Sequence, residues 1–201
     1  MGKRSYLKCL LLSVMLAWTT HAAAQETGTL VVDIKPFHSE RELPKKVETQ
    51  LKNGGLEWGQ RNGQLVFSSM NKRFIDFPLN HMTRFGQSES LQLAPGEYTV
   101  TGIGLNVSMG FNPQKIVDRG GYINEHVMKL HIEAGKTTTL SIDPVIFRDG
   151  AFVIDIYQPT LNATVTAPDG STSAEPVGLN RQSETSVNWG KYNGPLKFVA
   201  K

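Results

Sequence analysis

The stretch HIEAGKTTTLSI, residues 131–142, separates two architectures. It contains Gly135-Lys136-Thr137, the string that closes a phosphate-binding loop, and it also has the form of two strands around a tight turn. A phosphate loop needs Gly-x-x-x-x-Gly-Lys-Ser/Thr between a strand and a helix, so that backbone N–H groups and the helix N-terminus surround the anion. The position of the first glycine is Leu130. Thr137, Thr138, Thr139 and Ile142 are β-branched, and Pro144 closes the run, so no helix is expected to follow Lys136. Nucleotide binding through residues 135–137 is disfavoured, and residues 137–142 are read as extended chain.

The strand reading carries a register. Met128, Leu130 and Ile132 share a face with Leu140 and Ile142 across a hairpin only if the loop between them is odd. A loop of Glu133, Ala134 and Gly135 pairs Ile132 with Lys136 and Met128 with Leu140. Gly135 is then the left-handed turn residue and Lys136 a solvated strand start.

Working outward, Asn53-Gly54, Asn62-Gly63, Asp149-Gly150, Asp169-Gly170 and Asn193-Gly194 are turn pairs that tolerate positive φ. Between them lie β-branched and aromatic runs: TLVVDIKP, QLVFSS, RFIDFPL, EYTVTGIGL, VMKLHIE, TTTLSI, PVIF, AFVIDIY and NATVTA. A two-residue loop at Asp149-Gly150 predicts Arg148 opposite Ala151, Phe147 opposite Phe152 and Val145 opposite Ile154. TAPDGSTS reads as a further hairpin and SVNWGKYNGPLKFVA as two terminal strands. Over residues 39–54, Leu43, Val47 and Leu51 recur at helical spacing, with Ser39 and Glu42 at capping-box spacing, Pro44 at a first turn and Gly54 at the end. One short helix is expected there. The fold class is all-β, an antiparallel β-sandwich with extra C-terminal strands.

The first 24 residues have the pattern of a secretory signal: basic Lys3, Arg4 and Lys8, an apolar run from Cys9 to Trp18, and Ala22-Ala23-Ala24 before Gln25. The division expected is a signal at 1–24, a sandwich at 25–158 and a C-terminal β-hairpin extension at 159–201. The formal net charge of +3 is supplied by Lys3, Arg4 and Lys8, so the mature chain is formally neutral and nucleic acid is a disfavoured partner. Cys9, the one cysteine, leaves with the signal, which excludes a disulfide, a thiolate ligand and a cysteine nucleophile from the mature chain. These features point to a periplasmic or secreted product with no integral membrane segment.

LQLAPGEYTVTG, residues 91–102, followed after an insertion by MKLHIEAGKTTTLSI, resembles the L-x-PG-x-Y-x-V and A-G-x-T-T motifs of prealbumin-like β-sandwich modules, the carboxypeptidase regulatory-like and PEGA-type domains of bacterial envelope proteins. The resemblance implies a sandwich used for binding, spacing or scaffolding, without catalysis of its own. The chain departs from it in the insertion from Asn106 to Glu125 and in the C-terminal strands.

No cofactor or metal site is indicated. His126 and His131, five residues apart on one strand, point to opposite faces unless a bulge intervenes. No Gly-x-Ser-x-Gly elbow occurs, and Asp33, Asp76, Asp143 and Asp155 stand as separate acids on or beside strands. A hydrolase site would have to assemble from such acids and histidines in three dimensions. The insertion is the expected recognition surface, because long loops on a rigid sandwich carry binding. Its candidate ligand-binding residues are Phe111, Arg119, Tyr122, Asn124, Glu125 and His126, a set suited to an envelope protein, a peptide or a glycan.

Overall fold

The computed structural model describes residues 26–68, 78–105, 122–151 and 154–176. In chain order these form β1 (Gly28–Ile34), β2 (His38–Ser39), α1 (Lys45–Lys52), β3 (Gly55–Arg61), β4 (Gln64–Ser68) and β5 (His81–Arg84). There follow β6 (Gln87–Leu93), β7 (Gly96–Leu105), β8 (Tyr122–Ile132), β9 (Thr137–Ala151), β10 (Ile154–Thr166) and β11 (Thr172–Pro176). One sheet has the order β11-β10-β9-β1-β6 with β2 added to β9, and the other β5-β3-β4-β7-β8. Both are mixed. β1 and β2 run parallel to β9, and β4 parallel to β7, while the remaining pairs are antiparallel. The purely antiparallel sandwich expected from the sequence is thereby corrected to a sandwich-like arrangement of two mixed sheets and one short helix.

Two-residue alternation builds the core. Leu30, Val32 and Ile34 of β1 are fully buried, while Val31 and Asp33 between them are partly exposed. They meet Leu56 and Trp58 of β3, Leu65 and Phe67 of β4, and Leu130 and Ile132 of β8 in one apolar cluster. Trp58 stacks on Phe67 with ring centroids 5.6 Å apart. Each such side chain contributes about 1.5–3 kcal/mol of transfer free energy. α1 buries none, so the sheets hold the helix rather than the reverse. Pro44 is its N-cap and has no side-chain group with which to cap it, and Ser39 of the expected capping box belongs to β2.

The GKT stretch is extended, but it does not pair with the strand before it. β8 lies in the second sheet beside β7, and β9 lies in the first between β1 and β10. Residues 133–136 thus carry the chain from one sheet to the other. The expected Met128–Leu140 hairpin pair is corrected: both side chains are buried, and they come from different sheets. Gly135 does adopt a left-handed conformation, φ 69°. Its N–H donates to the Thr27 carbonyl at 3.0 Å, and Thr29 N–H donates to the Lys136 carbonyl at 2.8 Å. The buried Thr138 hydroxyl closes the bend on the His131 carbonyl at 2.9 Å. Gly28 lies so near that a Cβ there would stand 2.2 Å from the Glu133 carbonyl oxygen.

A second crossing joins β6 to β7 through Ala94-Pro95. Tyr98, 7 % exposed, returns its hydroxyl to the Ala94 carbonyl at 3.0 Å, which gives the PG-x-Y motif a physical reason: the tyrosine ties down its own turn.

The β9–β10 register differs from the expected one. Arg148 pairs with Tyr157, Val145 with Thr160 and Ala151 with Ile154, so Asp149 and Gly150 lie within β9 and not in the loop expected there. Both registers preserve the alternation; the observed one brings Leu161, Ala163 and Val165 opposite Pro144, Ile142 and Leu140 and buries them all. β10 continues unbroken through residues 158 and 159, so residues 159–166 belong to the first sheet. Turns at Asn62-Gly63, φ 50° and 75°, and at Asp169-Gly170 stand where the sequence places them. RFIDFPL up to residue 77 and both terminal strands of SVNWGKYNGPLKFVA lie outside the described residues.

Gly28→Ala is expected to cost about 1–3 kcal/mol, read as a lowered urea midpoint, because neither the Glu133 carbonyl nor β1 can retreat without loss of the bend. Burial raises the pKa of Tyr98 above its ordinary 10.0. The unfolded chain then ionises first, so this contribution is complete below pH 10 and is lost as pH rises through the folded value. Urea midpoints measured from pH 8 upward are expected to fall less steeply for Tyr98→Phe than for the wild type.

Candidate functional site

β2 accompanies β9 for only two residues, His38 opposite Val145 and Ser39 opposite Ile146. The Ser39 hydroxyl donates to the Ile146 carbonyl at 3.0 Å, and there the chain leaves the sheet as an arm, residues 40–44, that leads into α1. Phe37 anchors the start of the arm edge-to-face on Phe85, centroids 5.4 Å apart.

β9 and β10 run on as a two-stranded ribbon. Between its inner face and the arm lies a cleft of about 480 Å³. Ile146, fully buried, continues the core into this cleft, and Leu43, Pro44 and the half-exposed Tyr157 extend the apolar lining. Its charged lining is Glu40, Arg41, Glu42, Lys45 and Arg148, all exposed. Arg148 donates from Nε and Nη2 to Oδ1 of Asp155, at 2.8 and 2.7 Å, and this pairing raises its already high pKa. A second hollow lies against the same arm and adds Phe37 and Glu48. The arrangement can hold a ligand that offers both apolar surface and hydrogen-bonding groups.

A second constellation closes the edge where β5 and β6 face one another. Glu89 stands opposite Val32, an inward-facing place. Its Oε1 lies 2.6 Å from His81 Nδ1 and its Oε2 accepts from the Thr83 hydroxyl at 3.0 Å, while Thr83 accepts from Trp58 Nε1 at 2.9 Å. The imidazole stacks on the Trp58 ring, centroids 4.2 Å apart. A carboxylate only accepts, so Nδ1 carries the proton. Both oxygens of Glu89, the Thr83 hydroxyl and Trp58 Nε1 are paired within this network, which makes it a structural tie between the sheets.

The residues singled out in the sequence fall as follows. Phe111 and Arg119 lie outside the described residues. Tyr122, Asn124, Glu125 and His126 are on β8, opposite Leu105, Ile103, Gly102 and Thr101. A register shift between Val100 and Thr101 supplies a bulge between positions 126 and 131, yet five residues of strand separate them by about 16 Å, too far to share an ion. Among the described residues, no three His, Cys, Asp or Glu side chains converge. Asp33 pairs with Lys35, Asp143 faces His38 and Asp155 holds Arg148, whereas Glu40 and Glu42 line one cleft from the same arm. No helix among the described residues is long and apolar enough to cross a membrane. Ser39, Arg41, Lys45 and Tyr157 carry no motif; Ser39 and Arg41 lie in the charge-dense, proline-bounded run PFHSERELP, Lys45 follows it, and Tyr157 has no signal of its own.

Lys136 is engaged in its own turn, Nζ 2.5 Å from Glu133 Oε2, and that hydrogen bond raises its pKa. No helix follows it. Calorimetry is expected to show no heat of ATP binding for the wild type or for Lys136→Ala, with equal thermal midpoints; a heat lost in the variant would restore the phosphate-loop reading. Comparison with protein-family models, curated proteins and solved structures gives no match.

Proposed function

We propose that the chain is an exported, non-catalytic binding module of the bacterial envelope, built on a prealbumin-like sandwich, with the cleft beneath residues 40–45 as its ligand site. The cleft carries this reading: a volume of about 480 Å³ whose floor is a continuation of the core and whose wall is a charged arm is a recognition feature. The PG-x-Y turn tied by Tyr98 and the two facing sheets support the prealbumin-like assignment. The pattern of residues 1–24 supports export. In this reading Phe111 and Arg119, between β7 and β8, and Tyr122, Asn124, Glu125 and His126, at the start of β8, form a further recognition surface. Among the described residues, Glu40 and Glu42 line the cleft from the arm, and Asp155 on the ribbon is held by Arg148.

Two measurements test the proposal. N-terminal sequencing of the periplasmic protein is expected to begin at Gln25. Amide spectra of residues 25–201, titrated separately with a peptidoglycan fragment, a neutral oligosaccharide and short peptides, are expected to show shifts at Ser39, Arg41 and Tyr157 with at least one probe and no product. A new product peak, or no cleft shift with any probe, refutes it.

A further inference from the structure

β9 is longer than its neighbours on one side. β1 and β2 accompany it from Thr137 to Ile146, and among the described residues no strand lies beside residues 147–151 on that side. The backbone there is oriented for pairing. The carbonyls of Lys136 and Ile142 accept from Thr29 and Lys35 N–H, and the Ile146 carbonyl accepts from the Ser39 hydroxyl, so even-numbered peptide groups of β9 face β1 and β2. Alternation aims the N–H and C=O of Arg148 and Gly150 the same way, away from β10. Pro144 fits this rule: its missing N–H falls on the β1–β2 side, where the chain passes from one strand to the next, and costs the β10 ladder nothing.

We propose that an extended peptide segment joins the first sheet here as an added strand beside residues 147–151, in line with β2 and lodged in the cleft. This rests on the reading of the cleft as a ligand site and names the ligand class. Main-chain pairing with Arg148 and Gly150 supplies the affinity, and side chains at alternate positions of the peptide enter the cleft over Ile146, against Leu43 and Tyr157. The preferred inward side chain is therefore apolar. Glu40 and Glu42 are balanced by Arg41 and Lys45, and Asp155 neutralises Arg148, so no net charge selects the ligand and binding is insensitive to salt. Ser39 caps the last paired carbonyl and marks where the added strand begins.

The test uses a terminally blocked peptide alternating valine and threonine, with lysine at each end, and the same peptide N-methylated at alternate amides. Titrated into residues 25–201, the parent peptide is expected to shift the Ser39, Arg148 and Gly150 amides, and N-methylation on the pairing edge to weaken binding about tenfold or more. Arg148→Pro removes one of the two N–H groups that face the open side, and Arg148→Gln removes the guanidinium and keeps that N–H; the first is expected to bind about tenfold more weakly than the second. Equal affinities for the two variants, equal affinities for the two peptides, or no shift at millimolar parent peptide each overturn strand addition. If Arg148→Pro does not fold, the N-methylated peptide decides. Cleft shifts with a peptidoglycan fragment or oligosaccharide alone leave the cleft a ligand site and sink the peptide; no shift with any probe sinks both.

Discussion

Two hydrogen bonds hold the ends of the sandwich together: Gly135 N–H to the Thr27 carbonyl and Thr29 N–H to the Lys136 carbonyl. They place the start of β1 against the bend between β8 and β9, and the parallel register that follows sets which face of each strand is buried. Thr29 opposite Thr137 puts Leu30, Val32 and Ile34 in line with Thr138, Leu140 and Ile142, and all six are buried. Slipping that register by one residue would turn the apolar set of β1 to the outer face. The bend permits close approach because position 28 has no side chain and position 135 accepts a left-handed backbone.

Much of this was legible in the residues. The failure of the phosphate-loop pattern at Leu130 and the β-branched run after Lys136 identify β9, and Gly135 is the turn residue its position suggests. What alternation cannot tell is the sheet to which a strand belongs. Met128 and Leu140 face the core whether their strands are hydrogen-bonded neighbours or lie in opposite layers, so a hairpin and an inter-sheet bend give the same pattern. The Asp149-Gly150 loop failed for a related reason: a longer hairpin of the same parity also satisfies the alternation, and only the burial of Leu161, Ala163 and Val165 distinguishes the two. β3, β5 and β6 are poorly marked in the sequence because polar residues dominate GLEWGQR, HMTR and QSESLQL, although Leu56 and Trp58, and Leu91 and Leu93, keep the two-residue spacing.

The candidate site was the least legible part. A cleft between an arm and a ribbon depends on where β2 stops and on how far β9 and β10 outrun it, and neither length is encoded in a motif. The residues that line it are an ordinary charged run and one tyrosine. The inward Glu89 illustrates the opposite case, a charge whose spacing in β6 marks it as core-facing while its chemistry says otherwise; Thr83, His81 and Trp58 resolve the conflict by hydrogen bonds from a neighbouring layer. A carboxylate placed inward on a terminal strand also discourages sheet-to-sheet association along that side.

The pairing of Thr29 with Thr137 has a kinetic side. β1 is made early and its parallel neighbour late, so during synthesis one long flank of β1 waits for more than half of the chain to follow. Such a topology has high contact order and closes slowly, because the loop entropy of the intervening segments must be overcome before the pairing returns any free energy. In a molecule wired in this way the first sheet cannot close until β9 has been made.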